Sequence, residues 1–182
     1  IGLFNERVTA TFDYYYNENW QVLEVRKNGS SHAQEQWVWD QRYIDAPVLR
    51  WRDSDTDGTV DDTIYAMTDA NMNVTGLVDA SSGEVLELYT YDPYGKVTVW
   101  DVLSGFPTSG GSAYGWDVLY RRYRNDSETE LDQVRNRNYD STLGQWTARD
   151  PLGRALNVLG FEYANSSNLY QFVESKPCER SD

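Results

Sequence analysis

The stretch Val85-Leu86-Glu87-Leu88-Tyr89-Thr90-Tyr91-Asp92-Pro93-Tyr94-Gly95-Lys96-Val97-Thr98-Val99-Trp100 decides the fold. Val85, Glu87, Tyr89 and Tyr91 alternate with Leu86, Leu88 and Thr90, the period of two that sends successive side chains to opposite faces of a strand. Asp92-Pro93-Tyr94-Gly95 follows, with proline preset for the second position of a turn and glycine free to take a positive φ. Residues 96–100 then return. The unit is a β-hairpin, and each strand with its turn takes roughly ten residues.

The same rhythm runs outward in both directions. Val8, Ala10, Phe12, Tyr14 and Tyr16 alternate with Thr9, Thr11, Asp13 and Tyr15, which predicts a half-buried strand. Asn17-Glu18-Asn19 predicts a turn, residues 20–27 the return strand, and Asn28-Gly29 a tight turn. Trp37 and Trp39 share one face of the next strand. Residues 43–52 are extended, with Pro47 at an edge or a bend. Strands at 63–68 and 74–78 flank a turn at 69–73, and Ser81-Ser82-Gly83 makes the next turn. On the C-terminal side, residues 103–115 are rich in Gly, Ser, Thr and Pro and read as a long loop or linker. Hairpins restart at Trp116. Residues 133–139 read as one return strand, and a second Tyr-Asp turn follows at Tyr139-Asp140-Ser141-Thr142-Leu143-Gly144. Leu152, Leu156, Leu159 and Tyr163 predict at most a short helix near 152–163, weakened by Gly153 and Gly160. The chain thus divides into hairpins at 1–101 with an acidic loop at 53–62, a loop or linker at 102–115, and a distinct segment at 116–182.

A length of 182 residues suits one domain with a real core. Fourteen Tyr and seven Trp against five Phe suit broad sheet faces that are only partly dry. Asp and Glu number 29 and Lys and Arg 16, a net charge of −13. Such a surface repels phosphate backbones and anionic lipid, so nucleic acid and membrane insertion are not expected. Cys178 is the sole cysteine, which excludes an internal disulfide and a cysteine-based metal site. His32, the sole histidine, sits in a polar loop between Ser31 and Ala33 and argues against a Ser-His-Asp triad or a histidine-rich zinc site. Gly110-Gly111 lacks the lysine of a phosphate loop. The chain opens on Ile1 and reads as a piece of a longer one.

Asp53-Ser54-Asp55-Thr56-Asp57-Gly58-Thr59-Val60-Asp61-Asp62 carries carboxylates at alternate positions and a glycine for a sharp turn, the needs of a hard-cation loop. Asp53, Asp55, Asp57, Thr59, Asp61 and Asp62 are the candidate calcium ligands. The spacing copies the first half of an EF-hand loop, but Ile64 stands where the bidentate glutamate belongs and the flanks read as strands. The competing reading is a solvated acidic hairpin tip.

Thr90-Tyr91-Asp92-Pro93-Tyr94-Gly95-Lys96-Val97 and Arg137-Asn138-Tyr139-Asp140-Ser141-Thr142-Leu143-Gly144-Gln145-Trp146 resemble the unit of bacterial YD-repeat, or Rhs, proteins. Trp146-Thr147-Ala148-Arg149-Asp150-Pro151-Leu152-Gly153, followed by Asn168-Leu169-Tyr170-Gln171-Phe172-Val173, resembles the Rhs-repeat-associated core segment. The resemblance implies an all-β fold of antiparallel hairpin repeats forming part of a curved or spiral YD-repeat β-shell, akin to the shells of toxin-complex C components and teneurins. It implies a secreted or cell-surface parent protein whose shell encloses or presents a C-terminal effector. The expected partners are therefore the remainder of that shell and the enclosed polypeptide. Arg149-Asp150 matches the pair linked in the family to autoproteolytic release, with Glu162 the nearest second acid by spacing.

The chain also departs from the family. Asp132 and Asn138 stand where aromatics are usual, and Gln145 where arginine is common; the stretch 153–168 is longer. The cleavage motif expected after Pro177 is replaced by Cys178-Glu179-Arg180-Ser181-Asp182. Arg149 and Asp150 are accordingly expected to be inactive and to brace a turn before Pro151, and the chain is not expected to be an enzyme. Three functions stay open: an encasing scaffold needing no cofactor, a β module binding a carbohydrate or protein ligand through its aromatic faces, and the remnant of an aspartyl autoprotease core.

Overall fold

The computed structural model describes residues 10–41, 45–149 and 168–172. Asp150, Glu162, Cys178 and the helix expected near 152–163 lie outside the described residues. Among those described, regular structure consists of twelve strands and one 3-10 turn, Tyr120–Arg122. The strands are β1 (Phe12–Tyr16), β2 (Val22–Lys27), β3 (Ala33–Trp39), β4 (Pro47–Arg52), β5 (Asp62–Thr68), β6 (Val74–Asp79), β7 (Val85–Tyr91), β8 (Val97–Asp101), β9 (Arg124–Asp126), β10 (Leu131–Val134), β11 (Arg137–Asp140) and β12 (Gln145–Trp146). The first eight form one antiparallel sheet in sequence order, and the last four a second in the order β12-β11-β10-β9. Neither sheet closes on itself. Each strand pairs with its neighbour in sequence, as short turns between strands require. No described helix is long and apolar enough to cross a membrane.

Internal contacts divide the chain into two units. The first holds the described residues up to Met67 together with Leu77–Val85. Its buried apolar side chains include Val22, Val25, Trp37, Leu49, Ile64 and Leu77. Arg50 is buried with them. Its charge is met by Glu35 Oε1 at 3.3 Å and by the Trp37 ring, whose centroid lies 5.4 Å from the guanidinium carbon. A buried cation persists only with such partners. The Asn28-Gly29 turn forms as expected, with φ of +54° and +71° at the two residues. β1 also forms, but its expected half-burial does not: all five of its residues are exposed. Among the described residues it pairs with β2 alone and is the first strand of its sheet, and both its faces are exposed.

The second unit holds Thr68–Gly76 and the described residues from Leu86 on. Its core is aromatic: Tyr120, Tyr139, Trp146 and Phe172 are buried together, with Tyr91, Tyr94, Tyr123 and Val134 packed around them. Tyr139 and Phe172 have ring centroids 4.3 Å apart. The two Tyr-Asp turns of the sequence meet at this core. The Tyr139 hydroxyl donates to the Tyr94 carbonyl at 2.7 Å, and the Tyr120 hydroxyl to that of Pro93 at 3.2 Å. The Tyr94 ring lies on Gly144 and the Tyr120 ring on Gly95. One correction falls here. Residues 133–139 are not one strand: β10 and β11 pair Val134 with Arg137 across a two-residue turn in which Arg135 takes a φ of +48°. Asn136 is the sole turn-forming residue of the pair, and a lone asparagine between alternating residues is a weak sign of the break.

A single local device ends most hairpins. Asn17, Asp69, Asp79, Asp92, Asp101, Asp126 and Asp140 each accept, through a side-chain oxygen, the backbone N–H two residues on. The carboxylate replaces a missing backbone partner and fixes the chain reversal. At Asp79, Asp101 and Asp126 such bonds hold the carboxyl acidic. Asp79, bonded by the Ser81 hydroxyl and by Ser82, is lowered to about 2, and the Leu103 and Glu128 amides lower Asp101 and Asp126 in turn. Part of the acidity of the chain is thus turn chemistry.

Candidate functional site

The acidic loop joins β4 to β5 within the first unit. Its base is closed by the Asp61 amide donating to the Arg52 carbonyl at 2.8 Å and by Arg52 donating to Asp62 Oδ2 at 2.9 and 2.6 Å. Inside, the buried Asp53 carboxylate receives the amides of Asp57 at 3.2 Å and Gly58 at 2.7 Å. Gly58 has a φ of +97°, and the ring of His32 lies close over it. Asp61 Oδ2 receives the Ser54 amide at 2.8 Å and hydroxyl at 2.6 Å, which lower its pKa.

Of the six ligands named from sequence, the structure brings three together. Asp53, Asp55 and Asp61 each place a carboxylate oxygen within 4.8 Å of the others. That spread fits oxygens around a calcium ion at 2.3–2.6 Å. Asp62 is turned away into its pair with Arg52. Asp57 Oδ1 accepts the Thr59 amide at 2.7 Å, and Thr59 is not in the cluster. Ile64, at the place of the bidentate glutamate, is fully buried in β5. The Asp57 amide favours the ionised form of Asp55, but desolvation, Asp57, Asp53 and Asp61 outweigh it and raise the Asp55 pKa.

Arg149 is exposed, its guanidinium 5.9 Å from the centroid of the Tyr170 ring and its Nε 3.3 Å from the Tyr170 hydroxyl. Its sequence neighbour Asp150 lies outside the described residues.

Sequence reasoning passed over the buried carboxylate of Glu87. Its Oε2 accepts the Tyr89 hydroxyl at 2.6 Å and the Ser112 hydroxyl at 2.7 Å, and its Oε1 the Ala113 amide at 2.6 Å. Burial first, and the bond to Glu87 second, push the Tyr89 phenol up. Ser112 Oγ in turn accepts the amides of Tyr114 and Trp116, both at 3.2 Å. One buried acid thus orders the Gly-Ser loop against β7. The sequence held the signal: Glu87 shares the inward period of Tyr89 and Tyr91, while Leu88 faces water.

No family model matches the chain, and no curated protein matches it. Solved structures do match. The crystal structure of TcdB2-TccC3-TEV aligns with 100% of this chain at a TM-score of 0.57 and 16% identity, and the match covers 9% of that chain. TcdB2-TccC3 without hypervariable C-terminal region aligns with 94% at 0.52 and 13% identity, covering 10% of its length. TcdB2-TccC3-Cdc42 aligns with 91% at 0.51 and 15% identity, again covering 10%. The likeness is one of fold. These are toxin-complex structures, and they fit the YD-repeat resemblance and a shell-type β scaffold. The chain spans about a tenth of their length.

Proposed function

We propose that the chain is a wall segment of a secreted or cell-surface YD-repeat shell whose full-length form encloses or presents a C-terminal effector polypeptide. The observation that carries this reading is the match of nearly the whole chain to about a tenth of the TcdB2-TccC3 chains. One of those structures is described as lacking a hypervariable C-terminal region. Carried over, the conserved part is wall and the variable part is what the wall surrounds. The docked Tyr-Asp turns suit a wall, because each repeat is braced by the next and stability accumulates along the array. The segment does no chemistry in this reading, and Arg149 and Asp150 are structural. The test is limited proteolysis of the full-length protein. The C-terminal region should resist protease in the native shell and be cut at the rate of the isolated region once the shell is unfolded. Equal cutting rates in both states overturn enclosure. A loss of mass by the purified chain itself, abolished by Asp150→Asn, overturns the inert assignment of the pair.

For the acidic loop we propose calcium, held by Asp53, Asp55 and Asp61; the convergence of these three carboxylates supports it. Without a cation they repel one another. A ligand bound only by the folded chain raises stability, by about 1.4 kcal/mol at ten times Kd. Millimolar calcium should therefore raise the melting temperature, magnesium should do so less, and Asp55→Asn should abolish the rise. An unchanged melting temperature in the unmutated chain removes the site.

A further inference from the structure

At one end of the first unit's strands lies a cavity of about 530 Å³, lined by the β1–β2 turn and by the end of β3. Trp37 and Trp39 are part of its wall, with ring centroids 5.9 Å apart and planes 23° from parallel. The Trp39 Nε1 donates to the Val22 carbonyl at 2.7 Å, and the Trp37 Nε1 to Glu35 Oε2 at 3.1 Å, so both indoles are fixed before any ligand arrives. Around them stand side-chain amides: Asn19, Gln21 and Gln41. Asn17 builds the turn that places two of them. Its Oδ1 accepts the amides of Asn19 at 2.9 Å and Gln21 at 3.0 Å, and its Nδ2 donates to Gln21 Oε1 at 2.7 Å. That bond holds the Gln21 side chain in place, 7% exposed as a residue. Among the described residues Asp40 is the only charged one in the lining.

We propose that this cavity binds a neutral saccharide ring, stacked on the indole of Trp39 and hydrogen-bonded by the amides of Asn19, Gln21 and Gln41. The volume falls in the range of ligand sites, about 300–1,000 Å³. An amide both donates and accepts, as a sugar hydroxyl does, so three amides around an indole match a ring with an apolar face and a polar rim. Among the described residues the lining holds no lysine or arginine, which disfavours phosphorylated and sulfated sugars. Fixed indoles and a capped turn spare the ordering cost of binding. The site is independent of the scaffold reading, since a shell wall needs no ligand there.

The test uses the chain with maltose, cellobiose and N,N′-diacetylchitobiose as probes and a sulfated heparin disaccharide as control, read by tryptophan fluorescence and saturation-transfer NMR. At least one neutral disaccharide should give a saturable change with a Kd in the millimolar range, and the sulfated one none. Asn19→Ala with Gln41→Ala removes two exposed amides and should leave the melting temperature unchanged. It should weaken binding about tenfold, as two lost hydrogen bonds imply. The proposal fails if no neutral disaccharide gives a saturable signal. It fails equally if the double variant binds like the unmutated chain, or if the sulfated disaccharide binds as well as the neutral ones.

Discussion

Gly95→Ala lowers the unfolding free energy by about 2–5 kcal/mol, a large share of the 5–15 kcal/mol typical of a domain. Two costs combine. Gly95 has a φ of +98°, where an L side chain is strained by about 1–2 kcal/mol. A Cβ there would also fall inside the van der Waals shell of the Tyr120 ring, and overpacking adds about 1–3 kcal/mol. The ring has little freedom to yield. Its hydroxyl is bonded to the Pro93 carbonyl, and its faces and edges meet Tyr91, Tyr123, Tyr139 and Phe172. Two further glycines separate the costs. Gly29 has a φ of +71° but open space around its Cβ, so Gly29→Ala reports conformational strain alone. Gly144 has a φ of +65° with the less buried Tyr94 ring 2.7 Å from its Cβ position, so it should fall between the two. Urea unfolding of the three variants should rank them Gly95, Gly144, Gly29. If Gly95→Ala proves no worse than Gly29→Ala, the packing of Tyr120 on the first Tyr-Asp turn does not hold the second unit together.

These glycines show where sequence reasoning succeeds and where it stops. The turn at Asp92-Pro93-Tyr94-Gly95 was legible because its chemistry is local: the proline φ and the glycine φ act within four residues. That Tyr120 covers Gly95 was not legible, since residues 25 positions apart meet only through tertiary packing. Strand positions followed from period-two alternation, but burial did not. β1 alternates as cleanly as β7 and is exposed throughout, because alternation shows that a strand has two faces and says nothing about what covers them. The hairpin at Arg135-Asn136 escaped because Asn136 alone signals a turn and the positive φ falls on Arg135, where sequence does not announce it. Of the acidic loop, the cluster was legible as spacing. The sorting of its members required the structure: Asp62 was taken by Arg52, and Asp57 by the Thr59 amide.

Asp132→Asn stabilises the chain at neutral pH, by about 1–3 kcal/mol, and flattens its pH dependence. Asp132 lies in β10, 3% exposed, opposite Asn125 of β9 and Tyr139 of β11. Burial pushes its pKa up from 3.8 to about 6, and the nearby charge of Asp140 adds to the rise; the 3.0 Å bond from Asn125 Nδ2 opposes it. The phenols of Tyr91 and Tyr139 also sense this carboxylate, and burial keeps both neutral. The sign follows from linkage. A carboxyl whose folded pKa exceeds its unfolded value favours the fold while protonated. That contribution is complete below about pH 4 and lost as pH rises through about 6, leaving a penalty of about 3 kcal/mol at neutral pH. Asparagine keeps an oxygen for the Asn125 donor and never ionises, so it avoids the penalty. Other carboxyls complicate the absolute curve, because Asp61, Asp79, Asp101 and Asp126 have lowered pKa values and lose their stabilisation in acid. The difference between the two proteins cancels them. That difference, measured by urea unfolding from pH 4 to pH 8, should be near zero or unfavourable to the variant at pH 4 and grow in its favour up to about pH 7. A difference that stays flat, or that favours aspartate at pH 8, shows that Asp132 titrates as an ordinary solvated carboxylate. A buried ionisable side chain in β10 thus makes the second sheet respond to pH between about 4 and 7.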